Sequence, residues 1–225
     1  MSILWEVLRW SVYLFVGFLF LVEVVFRIGR RYVHVSTPAF ATQLIDNPWR
    51  RRFVQRPELV AERMRLEPGM TVVEIGPGKG SYTLAVAYRV GPSGRVYALD
   101  IQPKVIERLT QRLVKDGIDN VIAQTGDVYD LGFPDGSIDR VFAIACLPEI
   151  PEPVKALKEL HRVLRDDGVA SFSELLPDPH YPLRSTLIGW ADRAGFALSE
   201  SFGNFFVYQL NFTKRRTYSA GPLPF

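Results

Sequence analysis

The sequence predicts an α/β domain in which parallel strands alternate with helices, and three observations carry that expectation. Short apolar runs of strand length recur along the chain, the first formed by Val72, Val73 and Ile75. Helix-like segments bounded by Pro and Gly separate them. Glycines at alternate positions, Gly76, Gly78 and Gly80, stand where the first strand hands over to a helix. A missing Cβ at such a turn lets a ligand approach the backbone.

Each element follows from local chemistry. Glu58–Leu66 reads as a short helix stopped before Pro68-Gly69, and the strand with Val72, Val73 and Ile75 follows. Tyr82–Val90 is a helix halted by Gly91-Pro92, Arg95–Leu99 is the second strand, and Asp100 ends it. Pro103–Lys115 is a helix whose proline sits near its start, where a missing N–H costs nothing. Val121–Gln124 is the third strand and Gly126-Asp127-Val128 follows. After a turn at Pro134-Asp135-Gly136 come the fourth strand, Ile138–Cys146, and a loop, Leu147–Pro153, with three prolines and Glu149. Val154–Leu164 is an amphipathic helix with His161 near its end. A turn at Asp167-Gly168 leads into the fifth strand, Val169–Leu175, and Leu183–Ala194 is helical. Phe196–Ser201 and Phe205–Phe212 read as a closing antiparallel pair that turns at Gly203-Asn204.

The 225 residues leave room for one such domain and an appendage. A single cysteine, Cys146, rules out an intramolecular disulfide, and its apolar setting suits buried filler. His34, His161 and His180 are scattered, so no metal site is expected.

The net charge of +3 is mild, but seven arginines and one acid, Asp46, lie between Arg27 and Arg56. Ile3–Ile28 is dominated by apolar and aromatic residues, and Trp10–Val22 carries no charge. With Val24–Phe26 it nears the roughly 20 residues that cross a bilayer. Glu23 can pair with Arg27 one turn on, and Trp5, Trp10 and Tyr32 are placed like interfacial anchors. A cleaved signal peptide is disfavoured, because the small-x-small site Ala39–Ala41 lies far past the apolar run. A helix lying in the membrane plane would want a polar face that Val12–Val22 lacks.

The expectation is therefore one transmembrane helix in residues 1–31, a basic linker over 32–56 that contacts anionic lipid, and a catalytic domain over 57–225. Arg27, Arg30 and Arg31 put that domain on the cytoplasmic side. An RNA reading of Trp49, Arg50, Arg51, Arg52 and Phe53 is the minor alternative, and nucleic acid is not the expected partner.

Glu74 sets the ligand class. It puts a carboxylate at the end of the first strand, two residues before Gly76. That order suits a ligand with an α-amino group, such as S-adenosylmethionine, whereas a pyrophosphate would want amides and no nearby negative charge. Asp100 falls twenty residues past Gly80, where doubly wound folds place the acid that takes ribose hydroxyls, with Gln102 beside it. Asp127 is placed to accept from an adenine amino group with Val128 against the ring; it could equally cap a turn.

The run from Glu74 through Asp100 and Gly126-Asp127 to the closing hairpin resembles the class I S-adenosylmethionine-dependent methyltransferases. Within them it looks most like the methyltransferase 11 group, which includes the ubiquinone and menaquinone biosynthesis methyltransferases; the likeness covers roughly Pro57–Lys214. The resemblance implies a Rossmann-like sheet of seven strands, six parallel and the seventh antiparallel, flanked by helices. It implies that Glu74, Gly76, Pro77, Gly78 and Gly80 border the amino-acid part of the cofactor. Asp100, Ile101 and Gln102 would lie along the ribose, and Asp127 with Val128 along the adenine. Many relatives carry a His-His pair after the fourth strand where this chain has Pro148-Glu149.

Such chemistry needs chiefly an aligned nucleophile and a dry pocket. Glu149, Glu174, His180 and Tyr181 are the candidates for base help or for shaping the pocket. Tethering would favour a lipid or lipid-like acceptor, an isoprenoid quinone precursor or a phospholipid headgroup. A soluble small molecule or membrane protein as acceptor, a silent cofactor-binding scaffold and an NAD-dependent oxidoreductase are the competing readings; Glu74 and Asp127 argue against the last.

Overall fold

The structure, a computed structural model, describes residues 5–15, 17, 18, 21, 50–176, 178 and 180–215. It divides into two compact units, Met1–Ser36 and Thr37–Phe225. Expectations resting on Glu23, Arg27, Arg30, Arg31, Tyr32, His34, Asp46 and Trp49 lie outside the described residues.

In the first unit residues 5–15 are helical, and Arg9 pairs with Glu6 at 2.7 Å. The expected membrane span is overturned, and with it the single-pass, cytoplasmic-side localisation. Among the described residues no helix is long and apolar enough to cross a membrane. Hydropathy measures composition, whereas crossing requires about 20 residues in one continuous helix. A bilayer partnership built on that span is not shown.

The second unit is a three-layer α/β structure. Its sheet has seven strands in the order β3-β2-β1-β4-β5-β7-β6. These are β1 (Thr71–Ile75), β2 (Arg95–Asp100), β3 (Val121–Thr125), β4 (Ile138–Ile144), β5 (Leu164–Leu175), β6 (Phe196–Gly203) and β7 (Val207–Lys214). Pairings are parallel from β3 through β5, while β7 runs antiparallel to both neighbours. Six strands therefore point one way and one opposes them, as expected.

Alternation along β1 divides the core. Val73 and Ile75 join the layer with α4 (Pro153–Val163) and α5 (Arg184–Arg193), built on Leu157, Leu160, Leu187 and Ala191. Val72 joins the opposite layer with α1 (Pro57–Arg63), α2 (Ser81–Val90) and α3 (Pro103–Asp116).

Two expected boundaries move. Asp167-Gly168 is not a turn between elements but lies within β5. Leu164 already pairs with Ile138 and Val169 with Arg140, so the residues between bulge outward from one continuous strand. β4 stops at Ile144, before Cys146, because Ala145 adopts φ 51° while its N–H still donates to the Ser173 carbonyl at 2.9 Å. That bend in the left-handed region lies at the carboxyl end of the sheet, where strained backbone often serves a site.

One face of β5 and β7 is polar although buried, carrying Ser171, Ser173, Gln209 and Asn211. Its partners are the backbone carbonyls of α1 and the Gln55 side chain in the segment before it. Gln209 Nε2 donates to the Val60 carbonyl at 3.1 Å and to Ser171 Oγ at 2.9 Å. Asn211 Nδ2 donates to the Arg63 carbonyl at 2.7 Å, and Arg140 Nε to that of Met64 at 3.0 Å. Carbonyls at the end of a helix lack partners within it, so these side chains supply what α1 needs.

Asn211→Ala should therefore lower unfolding free energy by about 1–2 kcal/mol and selectively reduce hydrogen-exchange protection in α1. Denaturant titration with exchange mass spectrometry checks this; unchanged exchange in α1 would show that the fastening is not what orders the helix.

Candidate functional site

β1 lies between β2 and β4, the point where strand order reverses direction, and ligands of open α/β sheets bind beyond the carboxyl ends there. Those ends carry Glu74 on β1, Asp100 on β2, Cys146 to Glu149 after β4 and Glu174 on β5.

Glu74 is the deepest of these. Its side chain is buried on the α2 face and accepts a short hydrogen bond from the Thr83 hydroxyl. Burial holds its pKa up at about 8; the Thr83 bond opposes the shift, and the nearby Asp100 charge reinforces it. In the ligand-free protein at neutral pH this acid keeps its proton.

The glycine turn fits over it. Gly76 has φ 69°, and a Cβ there would come within 2.4 Å of Cys146 Sγ, so any side chain would collide with the bend after β4. Gly78 is different: φ is 54°, and a Cβ would meet nothing within 4 Å. Its open side leaves room for a ligand against the backbone.

Asp100 accepts from the Gln102 N–H at 2.9 Å. Burial raises its pKa, the Gln102 bond opposes this, and Glu149 adds to it. Ile101, beside it, is exposed. Past β3, Asp127 is exposed, and its Oδ1 accepts from the Tyr129 N–H at 2.9 Å, so one oxygen does cap a turn; Val128 is half-buried against the core.

On the other side of β1, Glu149 closes a single 3-10 turn, Leu147–Glu149, inside the expected loop. His180 Nδ1 lies 3.7 Å from Glu149 Oε1 and 3.6 Å from Asp178 Oδ1. Glu174 is fully buried, neither oxygen has a hydrogen-bond partner among the described residues, and burial followed by the Asp178 charge pushes its pKa well up. The Cys146 thiol is likewise pushed up, by burial and then by Glu149, Asp100, Glu174 and Glu74. The carboxyl groups of Glu149, Asp100, Glu174 and Glu74 thus all act on this thiol. The Tyr181 hydroxyl donates to the Phe205 carbonyl, and its ring meets that of Tyr208 edge-on at 5.5 Å.

Sequence reasoning missed the wall formed by the segment before α1. Gln55 receives the Arg50 guanidinium at 2.6 Å and the Tyr82 hydroxyl at 3.0 Å, and its Nε2 donates to Ser173 Oγ. Nothing local signals that Gln55 and Ser173, so distant in sequence, share a hydrogen bond.

The residues fit a cofactor that carries both a sulfonium and an ammonium. Such a ligand is attracted by a group of acids, and Glu74 would gain the cation that its burial withholds. A pyrophosphate would gain no such partner from these carboxyl groups.

Comparison with known proteins agrees. Residues 73–172 match the family model for a methyltransferase domain. The demethylmenaquinone methyltransferase of Geobacillus stearothermophilus is 33% identical over 119 residues, 53% of this chain and 51% of that protein. The chloroplastic 2-methyl-6-phytyl-1,4-hydroquinone methyltransferase 2 of Oryza sativa subsp. japonica is 29% identical over 177 residues, 73% of this chain and 47% of that one. A crystal structure of a SAM-dependent methyltransferase from Aquifex aeolicus shares the fold with TM-score 0.74 at 23% identity, covering 80% of this chain and all of the other. The chain spans about half the length of the curated relatives it matches.

Residues 73–172 therefore form a methyltransferase domain, on a fold shared with a SAM-dependent methyltransferase. For this domain, the enzyme class and cofactor expected from the sequence are borne out.

Glu74 titrates near 4.5 when unfolded and near 8 when folded. Its contribution to stability is fully present below pH 4.5 and is lost as pH rises through 8. Between pH 6 and 9, ligand-free Glu74→Gln should lose less melting temperature than the wild-type protein; parallel melting curves would refute the assigned burial.

Proposed function

We propose that this protein transfers the methyl group of S-adenosylmethionine to a lipid-like acceptor of the prenylated quinone or hydroquinone type. The observation that carries the transfer reaction is the buried Glu74 carboxyl beneath the glycine turn, a feature suited to a cationic amino acid. Two relatives whose names specify demethylmenaquinone and a phytyl hydroquinone support the acceptor class.

When bound, the cofactor supplies a methyl group activated on a sulfonium. Glu74 holds the amino group, Gly76, Pro77, Gly78 and Gly80 line the amino-acid part, and Asp100 takes the ribose hydroxyls with Ile101 and Gln102 alongside. Asp127 and Val128 receive the adenine. Glu149 removes the acceptor's proton at Oε1, with His180 Nδ1 at 3.7 Å to steady the carboxylate. Glu174, His180 and Tyr181 shape the acceptor side.

The hairpin turn supports an apolar acceptor. Phe205 and Phe206 are exposed, with rings 5.6 Å apart. They flank the loop after β5, because the Phe205 carbonyl accepts from Tyr181 and the Leu176 N–H donates to the Phe206 carbonyl at 2.7 Å. Exposed aromatic surface beside a polar site suits an isoprenoid tail.

Methyl transfer from radiolabelled cofactor to a prenylated hydroquinone should be detected by chromatography. Glu149→Gln should lower kcat by about 10²-fold or more while leaving cofactor affinity intact. Labelling only of soluble acceptors, or none, would reject the acceptor class; full activity of Glu149→Gln would reject the base.

A further inference from the structure

An open groove of about 1110 Å³ runs along the outer side of α2, lined by the segment before α1, by α2 and by the end of α3. Its walls carry five arginines, Arg51, Arg52, Arg56, Arg89 and Arg112, against two acids, Glu58 and Asp116. Arg112 is matched by Asp116 at 3.3 Å and Arg89 by Glu62 at 3.5 Å. Arg52 and Arg56 are exposed, and among the described residues neither has a carboxylate partner. Arg51 reaches across to donate to Ser81 Oγ at 2.6 Å, bringing the positive wall to the first residue of α2.

The opposite lining is apolar, with Pro57, Leu84 and Ala85. Phe53 and Tyr88 are 66% and 69% exposed, and the Arg52 guanidinium lies over the Phe53 ring at 5.7 Å. Guanidinium groups chelate phosphate oxygens bidentately, and aromatic rings take a planar or apolar body.

We propose that this groove is a second ligand site, separate from the cofactor site, for a small molecule that carries a diphosphate on an apolar or planar body. Arg52 and Arg56 grip the phosphates, Arg51 stands at the cofactor end, and Phe53 and Tyr88 cover the body. The charge belongs to this groove and not to the methyl-transfer crevice, whose lining is acidic.

The test is calorimetry on the full chain with inorganic pyrophosphate, a C15 prenyl diphosphate and ADP, each with and without saturating S-adenosylhomocysteine. Saturable binding of pyrophosphate and at least one organic diphosphate is expected, undisturbed by S-adenosylhomocysteine and weakening as salt rises. Tighter binding of the prenyl compound or of ADP than of pyrophosphate identifies the source of the diphosphate. The double variant Arg52→Gln/Arg56→Gln, both exposed, should melt like wild type and bind about tenfold more weakly or worse.

Three results would overturn the proposal: no saturable binding of any diphosphate, displacement by S-adenosylhomocysteine, or equal affinity in the double variant. Binding of an oligonucleotide in the absence of any diphosphate binding would overturn it in favour of nucleic acid. Should the double variant melt early, Arg56→Lys decides: it keeps the charge, so it should retain measurable binding that Arg56→Gln weakens, and equal loss in both would count against the site.

Discussion

A carboxylic acid removed from water at the end of β1 is the constraint around which the domain is arranged. Glu74 is buried with Thr83 as its hydrogen-bond donor, and its proton stays on near neutral pH because the charged form has lost its solvation. Such a group costs stability unless something cationic arrives. The neighbouring features make that arrival possible: the Gly76 turn folds tightly against Cys146, Gly78 leaves its side open, and Asp100 stands on the next strand. Stability withheld in the empty site becomes affinity when a cation fills it.

The rest of the sheet keeps that geometry fixed. β1 is paired on both sides, so Glu74 cannot slide without breaking register with Ala98 and Phe142. On the α1 side, Gln209, Asn211 and Arg140 hold the helix by its carbonyls, and Gln55 ties the preceding segment to Tyr82 and Ser173. Directional bonds from this buried polar face to backbone carbonyls give the segment one position where an apolar face would allow several, while Gln209 Oε1 and Asn211 Oδ1 find no hydrogen-bond partner among the described residues. Tyr82 lies in the first turn of α2, directly behind the glycine turn, so that ordering reaches the site.

Much of this was legible from local chemistry. β1, the alternating glycines, Asp100 and the proline at the start of α3 announce themselves because backbone conformation and period leave marks on nearby residues. What was hidden depends on distant contacts. Asp167-Gly168 looks like a turn until Leu164 is seen pairing with Ile138, and β4 looks longer until Ala145 bends. The Gln55 network and the full burial of Glu174 have no local signature. The membrane span was inferred from apolar composition alone, and among the described residues no helix is long and apolar enough to cross a bilayer. Among the candidate residues, Glu149 and His180 lie 3.7 Å apart, and the Tyr181 hydroxyl donates to the Phe205 carbonyl in the hairpin turn.

The direct test of the central claim is to titrate S-adenosylmethionine into the protein at pH 7 in buffers of different ionisation enthalpy. If the cofactor's ammonium replaces the Glu74 proton, the observed heat will vary with buffer and report release approaching one proton, and Glu74→Gln will show neither that dependence nor full affinity. Buffer-independent heats in the wild-type protein, with unchanged affinity in Glu74→Gln, would contradict the account.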